Sequence, residues 1–468
     1  MCLPGGEGFG ACAGEVKPKL EVCGSPEDED CNGFVACAGH LWSRGTGDTS
    51  FQSADDVAVD SAGNVVLVGR GGLSLFGVDS GVVGSFVAKL DPTGNVLWVK
   101  RFNEGIPIWS LSDSVAVDAS GNITFAGSLW GTADLGAGPV TSTGTRDAFV
   151  VKLDPDGNHL WSKHFGGASS LTAPGGIAVD GQGNVLLTGQ LSGSADFGGG
   201  ARVSKANGDI FLVKLDAAGN HLWSKLFGDD GADAGWSVAA DPAGNVLVRG
   251  RSWGSADFGG GPLSGAHLAK LDPAGNHLWS QTIQGDMPLE LHHGLAVTGA
   301  GDVLITGAFT GSLSVGALSL AGPGDFDAYV VKLDPAGAPL WGKAFGGPAP
   351  DMIRAIQADS AGNALLLGDF RGTVNLGGGP LTAAGGDVFV IKLDAAGNHL
   401  WSKQYGDAAD QAGTAVAAGP DGRVILAGNF YGTLDFGGAP LVSAGTPPLI
   451  GAHDDMPTYD VFVAELMP

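Results

Sequence analysis

The stretch DAFVVKLDPDGNHLWSKHF, residues 147–165, decides the fold. It reads as two strands joined by a tight turn. In the turn, Asp accepts local backbone N–H groups, Pro presets the first turn residue and Gly supplies a positive φ. The Leu-Trp pair of its second half returns as Leu41-Trp42, Leu97-Trp98, Leu160-Trp161, Leu222-Trp223, Leu278-Trp279, Leu340-Trp341 and Leu400-Trp401, seven copies about 60 residues apart. A fixed period in this range marks an array of stacked sheets.

From residue 40 onward each unit reads as four strands. One unit consists of GGIAVD (175–180), NVLLTGQL (184–191), DIFLVKLD (208–215) and NHLWSKLF (220–227), lettered a to d from centre to rim. Strand a is small and alternating, as a crowded centre requires. Strand b is apolar on consecutive residues, as for a strand covered on both faces. Strand c sends Phe211, Val213 and Leu215 one way and Lys214 the other. Strand d carries Arg44, Lys100, Lys163, Lys225, Lys343 or Lys403 in most copies, and a charge there discourages pairing at a sheet edge. The b–c segments, such as GSADFGGGARV at 193–203, are expected to be irregular connections.

The two ends complement each other. GHLWSRG at 39–45 is a strand d with no a, b or c before it, and TYDVFVAELMP at 458–468 is a strand c with no d after it. The fold expected is all-β: a seven-bladed β-propeller of four-stranded antiparallel blades, closed by 3+1 pairing of the C-terminal strands with the N-terminal strand. Residues 1–39 then form a Cys-rich head and 40–468 the propeller. Trp42, Trp98, Trp161, Trp223, Trp279, Trp341 and Trp401 are expected to lie buried between blades, each covering about 150 to 250 Å², worth roughly 4 to 6 kcal/mol.

GGIAVDGQGNVLLTG at 175–189 and TRDAFVVKLDPDGNHLW at 145–161 resemble the units of the bacterial seven-bladed β-propeller repeat family, and the likeness extends over almost all of 40–468. The resemblance implies a secreted or cell-surface protein. Two units depart from the pattern, one with GRGGLSLFG after strand b and one with VTGAGD in place of VDxxGN.

Composition narrows the function classes. A formal charge of -25 disfavours nucleic acid and anionic membrane surfaces, which need clustered Lys and Arg. No apolar run approaches the length of a membrane span. All five cysteines, Cys2, Cys12, Cys23, Cys31 and Cys37, fall in the head, which suggests a disulfide-tied segment in an oxidising compartment. The count is odd and Met1 leads into CLPGGEGFG with no apolar signal segment, so the chain is expected to lack its natural beginning. In PEDEDCNGF at 26–34, Asp28, Asp30, Asn32 and Gly33 match the opening of a calcium loop, although its twelfth position is Gly39 and not Glu. This segment resembles a DEDC(N/D)G-type motif of secreted myxobacterial proteins. The segment reads first as a solvated acidic turn, with calcium the ion it would take if it binds one, and no cofactor is required.

Function should sit on the face that carries the longer d–a and b–c loops. Trp130, Trp253, Arg371 and Tyr431 follow strand b, and Trp109 lies in a d–a loop; stacking aromatics with polar neighbours suit a sugar or peptide. Asp286, Glu290, His292 and His293, and separately His453, Asp454 and Asp455, lie on the same face and could serve as metal ligands or an acid–base pair, but without motif spacing they read first as surface loops. Three classes follow. The first is a monomeric, non-enzymatic module outside the cell that binds a glycan, peptide or surface protein. The runner-up is an envelope or spacer scaffold. The third is a propeller enzyme: LDPAGNHLW is similar to the docking repeat of quinoprotein dehydrogenases, whereas the Asp-box of sialidases is absent.

Overall fold

The computed structural model describes residues 39–79, 84–102, 114–286, 294–445 and 458–467, and every regular element among them is a β-strand. Asp147–Leu153 pairs with Ile123–Leu129 on one side and His159–Phe165 on the other, and Ser114–Val117 completes a four-stranded antiparallel sheet. Leu171–Val179, Val185–Ser192, Asp209–Leu215 and His221–Phe227 form the next sheet in the same order, and the pattern recurs along the chain. In one place two units fuse, because His277–Asp286 also pairs with Val303–Val315. Near the C-terminus, Gln411–Ala418, Val424–Phe430 and Asp460–Leu466 are joined by the strand His40–Thr46, with Trp42 opposite Glu465 and Thr46 opposite Val461.

Strands b and c are apolar on both faces because each sheet is packed on two neighbours. Val66, Val68 and Val87 of one unit share a core layer with Phe125, Phe149 and Val151 of the next. Val57, Leu67 and Phe86 share another with Ile425, Ala427 and Val463 near the opposite end of the sequence. The b–c segments expected to be irregular are ordered ribbons instead: Ser194–Asp196 pairs with Ala201–Val203. Asp196 Oδ1 takes the N–H groups of Gly198 and Gly200, and the adjacent Phe197 is buried between Phe165 and Phe211.

The Asp of each a–b turn does what the turn reading requires. Asp180 Oδ1 accepts the N–H groups of Gln182 and Asn184 at 2.9 and 3.0 Å. Its other oxygen reaches farther, to Lys214 on strand c at 2.9 Å. The pair recurs as Lys89–Asp60, Lys152–Asp118, Lys270–Asp241 and Lys392–Asp359, and all these lysines are buried. Where Thr298 replaces the turn Asp, Asp302 takes over the pairing, at 3.0 Å from Lys332. Burial pushes these aspartates up, but Asn, backbone N–H groups and Lys outweigh it and hold Asp60, Asp118, Asp180, Asp241 and Asp359 below the ordinary carboxylate value. Their contribution to stability is therefore full above that ordinary value and is lost as pH falls through the lowered one.

The tryptophans correct the sequence reading. Trp401 is buried, but Trp42, Trp98, Trp161, Trp223, Trp279 and Trp341 are only half-buried. Each of the six lies on the c–d turn of the following unit, and its Nε1 donates to a turn carbonyl, of Pro92, Pro155, Ala217, Pro273, Pro335 and Ala395 respectively, at 3.0–3.4 Å. The Lys89 ammonium donates to the same Pro155 carbonyl as Trp98, and Lys270 to the same Pro335 carbonyl as Trp279. At Gly219, with φ +81, a Cβ would stand 2.9 Å from the Trp161 ring, so this turn residue needs both the positive φ and the missing side chain. Leu160 falls where the register shifts in the outer strand and is 49% exposed; a bulge at this position blunts the sheet edge.

The unit that joins the two ends inverts this chemistry. Gly419 stands in the place of the turn Asp, Arg423 in the place of the Asn and Glu465 in the place of the Lys. Glu465, 2% exposed, accepts the Trp42 Nε1 and pairs with Arg423 at 3.5 Å. Glu465→Lys should destabilise the chain by about 3–5 kcal/mol in chemical denaturation, because it puts a buried cation beside Arg423 with no turn Asp to receive it. Adding Gly419→Asp and Arg423→Asn, which copies the other units, should recover most of that loss.

Candidate functional site

The face opposite the short turns is where the b–c ribbons and d–a connections gather. The structure places Trp130 immediately after Ile123–Leu129, half-buried, with the Arg146 guanidinium 4.7 Å from its ring centroid. Arg146 is itself buried and donates to Ser128 Oγ at 2.9 Å. Trp130 is thus covered on one side by its own arginine. Trp253, within Val246–Asp257, is 50% exposed and has Arg251 at 5.3 Å from its ring centroid. The two tryptophans occupy different sheets.

Arg371 and Tyr431 are brought together through a residue the sequence reading missed. Arg371 Nη2 donates to Asp410 Oδ1 at 2.8 Å, and the Tyr431 N–H donates to the Asp410 carbonyl at 3.2 Å. Tyr459 joins this group. Burial pushes its hydroxyl up, the Asp410 carboxylate adds to the rise and the Arg371 guanidinium opposes it. Arg371, Asp410, Tyr431 and Tyr459 therefore form one polar and aromatic patch drawn from two adjacent sheets, with the Arg371–Asp410 pair about half-exposed. Nothing near Asp410 or Tyr459 in sequence marks them, because the patch exists only where the two sheets meet.

A second feature follows the bulges of the innermost strands. Asp55 pairs there with Arg70 at 3.3 Å, and Arg354 pairs with Asp369 in the reverse sense, its Nη2 at 3.2 Å from Asp369 Oδ2. Trp236 occupies the corresponding bulge in the sheet that carries Arg251. A cavity of about 540 Å³ lies on the turn side, lined by Asp60, Asn64, Lys89, Leu97, Trp98 and Pro155. Ser61, Ser120 and Asp156 also line it, around the same Lys, Asp and Trp contacts that join the sheets.

Trp109, Glu290, His292, His293, His453, Asp454 and Asp455, with Asp28, Asp30, Asn32 and all the cysteines, lie outside the described residues. Asp286 is described and exposed. Among the described residues there is no group of three His, Cys, Asp or Glu side chains that could hold a metal ion.

Residues 160–196, from the outer strand of one unit to the b–c ribbon of the next, match the family model described as Beta-propeller repeat. An uncharacterized WD repeat-containing protein of Acanthamoeba polyphaga mimivirus is 26% identical over 171 residues, 34% of this chain and 11% of that protein. The match thus spans about a tenth of the length of that curated relative. Among solved structures, a protein of unknown function from Dyadobacter fermentans aligns over 92% of this chain and 99% of its own at 13% identity, with a TM-score of 0.42. A Hadza microbial sialidase aligns over 69% of this chain and 65% of its own at 10% identity, with a TM-score of 0.40.

The two tryptophans should respond differently to truncation. Trp130→Ala removes a half-buried ring and with it the stacking partner of the Arg146 guanidinium, and is expected to cost about 2–3 kcal/mol in denaturant unfolding. Trp253→Ala should stay within about 1 kcal/mol of the parent, because half of that ring is already in water.

Proposed function

We propose that this β-propeller-type repeat protein is a closed ring of seven four-stranded blades, formed by residues 40–468 behind a Cys-rich head at 1–39. In this reading it works outside the cell as a non-catalytic module that binds a glycan, a peptide or a partner protein through its loop face. Closure draws on the pairing of His40–Thr46 with Asp460–Leu466 and on the apolar layer shared by the first and last sheets. The observation that carries the binding role is Trp253, a large aromatic left 50% exposed and backed by Arg251. Held in this way it offers a flat apolar surface at little entropic cost, as recognition of a sugar ring or an aromatic peptide side chain requires. The patch of Arg371, Asp410, Tyr431 and Tyr459 supplies directed polar contacts from other sheets of the same face. A scaffold without a small ligand is the second reading; it draws on the Arg146–Trp130 and Arg371–Asp410 pairs, which leave those groups already satisfied within the molecule.

A glycan and cell-wall array on the full chain, repeated with Trp253→Ala and Tyr431→Ala, tests the binding role. A ligand of the loop face should lose about tenfold or more in affinity with at least one variant. Binding that survives unchanged in both would move the ligand elsewhere, and no binding at all would favour the scaffold. Closure has its own test. Ser43 lies opposite Ala464, so cysteines introduced at these two positions should oxidise to a circular chain with altered mobility on a non-reducing gel, and failure to crosslink would open the ring.

A further inference from the structure

Strand c begins with a buried aspartate in five units, as Asp147, Asp209, Asp327, Asp387 and Asp460. Each accepts a backbone N–H from the preceding b–c connection, as Asp209 does from Lys205 and Asp327 from Gly324. Each also presses on a glycine just past the outer strand, Gly166, Gly228, Gly346, Gly406 and Gly47 in turn, where a Cβ would come within 2.7 Å of a carboxylate oxygen. The two units with Gly84 and Gly265 in place of the Asp have Asn103 and Gln284 in place of that glycine. The bare glycine accompanies the carboxylate because the carboxylate fills its space.

A residue at the start of the next innermost strand, first or second in it, reaches the same crevice, and its identity varies. At two interfaces it is neutral, Thr172 after Asp147 and Gln411 after Asp387. At two others it is a second buried aspartate, Asp233 after Asp209 and Asp351 after Asp327. A Cβ on Gly228 would stand 2.5 Å from Asp233 Oδ2 and 2.7 Å from Asp209 Oδ1, so these two carboxyls flank the same glycine across the sheets. The Oδ1 atoms of Asp209, Asp233, Asp327 and Asp351 have no hydrogen-bond partner among the described residues.

The surroundings compensate the pairs only in part. At the first pair the Lys205 ammonium, on the Gly228 carbonyl at 2.8 Å, favours the Asp209 carboxylate, but Asp229 and Asp230 add negative charge, Ser252 faces Asp233, and burial outweighs the lysine. At the second pair Asp369 is engaged by Arg354, the Arg371 guanidinium is held by Asp410, and only the Arg371 main chain reaches Asp351. Burial, with the neighbouring carboxylates Asp327 and Asp369 adding to it, pushes Asp351 up to about 7, and burial likewise raises Asp209, Asp233 and Asp327.

We propose that each of these two pairs holds a proton between adjacent sheets, so that the two interfaces are set by acid: seated while the proton is shared and loosened once it is lost. Two ionised carboxylates cannot lie together away from water without a cation, and one proton removes the conflict. The sign follows from the raised values. The folded chain binds these protons more tightly than the unfolded chain, so stability falls as pH climbs from the ordinary carboxylate range, about 4, to the folded value near 7 at Asp351, and stays low above it. This is opposite to the turn aspartates, which lose their contribution on the acid side.

Thermal unfolding of the full chain at pH 5 and pH 8 tests the proposal, comparing the parent with Asp233→Asn plus Asp351→Asn. A second variant, Asp233→Thr plus Asp351→Gln, copies the residues found at Thr172 and Gln411 and serves if the first folds poorly. The parent should melt several degrees lower at pH 8 than at pH 5, and either variant should remove most of that difference by melting higher than the parent at pH 8. An equal shift at both pH values would overturn the proposal. So would a parent that millimolar calcium restores at pH 8 while leaving the variants unmoved, because a cation and not a proton would then hold the pairs.

Discussion

Four times along the chain a sheet is tied to the next by a lysine and a tryptophan that share a carbonyl, of Pro155, Ala217, Pro335 or Ala395. The lysine is buried on strand c and cannot remain there uncompensated, so it draws the turn Asp of its own unit to within about 3 Å. Its remaining donors point outward to a carbonyl of the following unit, where the Trp Nε1 also arrives. A single contact thus satisfies a buried cation, caps a hairpin and sets the spacing between sheets. A lone buried ion pair contributes little net stability. Repeated in successive units with each carbonyl supplied from next door, it fixes how one sheet is rotated against its neighbour, which apolar layers alone would leave loosely specified.

The unit made from the two ends of the chain shows how dependent the array is on that contact. Three positions change together, Gly419, Arg423 and Glu465, and they replace a buried cation with a buried anion that receives Trp42. Burial pushes the Glu465 carboxyl up, while Trp42 and Arg423 hold it down. A strand of the ordinary type would bring a lysine to this place, where Arg423 repels it and no turn Asp receives it. The reversed polarity distinguishes Asp460–Leu466 from the other c strands as the partner of His40–Thr46, a distinction that near-identical repeats otherwise lack.

The same frame accounts for the character of the loop face. Because the sheets are held from the turn side, the opposite side is free to vary from unit to unit, and it does: Arg146 stacks on Trp130, Arg251 on Trp253, and Arg371 reaches Asp410. The crevices beneath those loops vary as well, being neutral at Thr172 and Gln411 and doubly acidic at Asp233 and Asp351. The proposed recognition face and the proposed proton-holding crevices therefore lie at positions that the repeat leaves unconstrained, while the Lys, Asp and Trp positions are occupied by the architecture.

The sequence by itself determined the strands, their order and the turns. Period, alternation and Asp-Pro-x-Gly-Asn chemistry act between residues close along the chain, so DAFVVKLDPDGNHLWSKHF was enough to place its two strands and the bend between them. It also marked Trp253 and Tyr431 as departures from a repeat. Only the tertiary structure decided that Lys214 is buried on Asp180, that six tryptophans cap turns of the next unit while half-exposed, and that Asp410 and Tyr459 meet Arg371. It alone brought Asp209 to Asp233. Each of these contacts joins different strands or different sheets, and neither the distance between such groups nor their shielding from water is written in the spacing of residues along one strand.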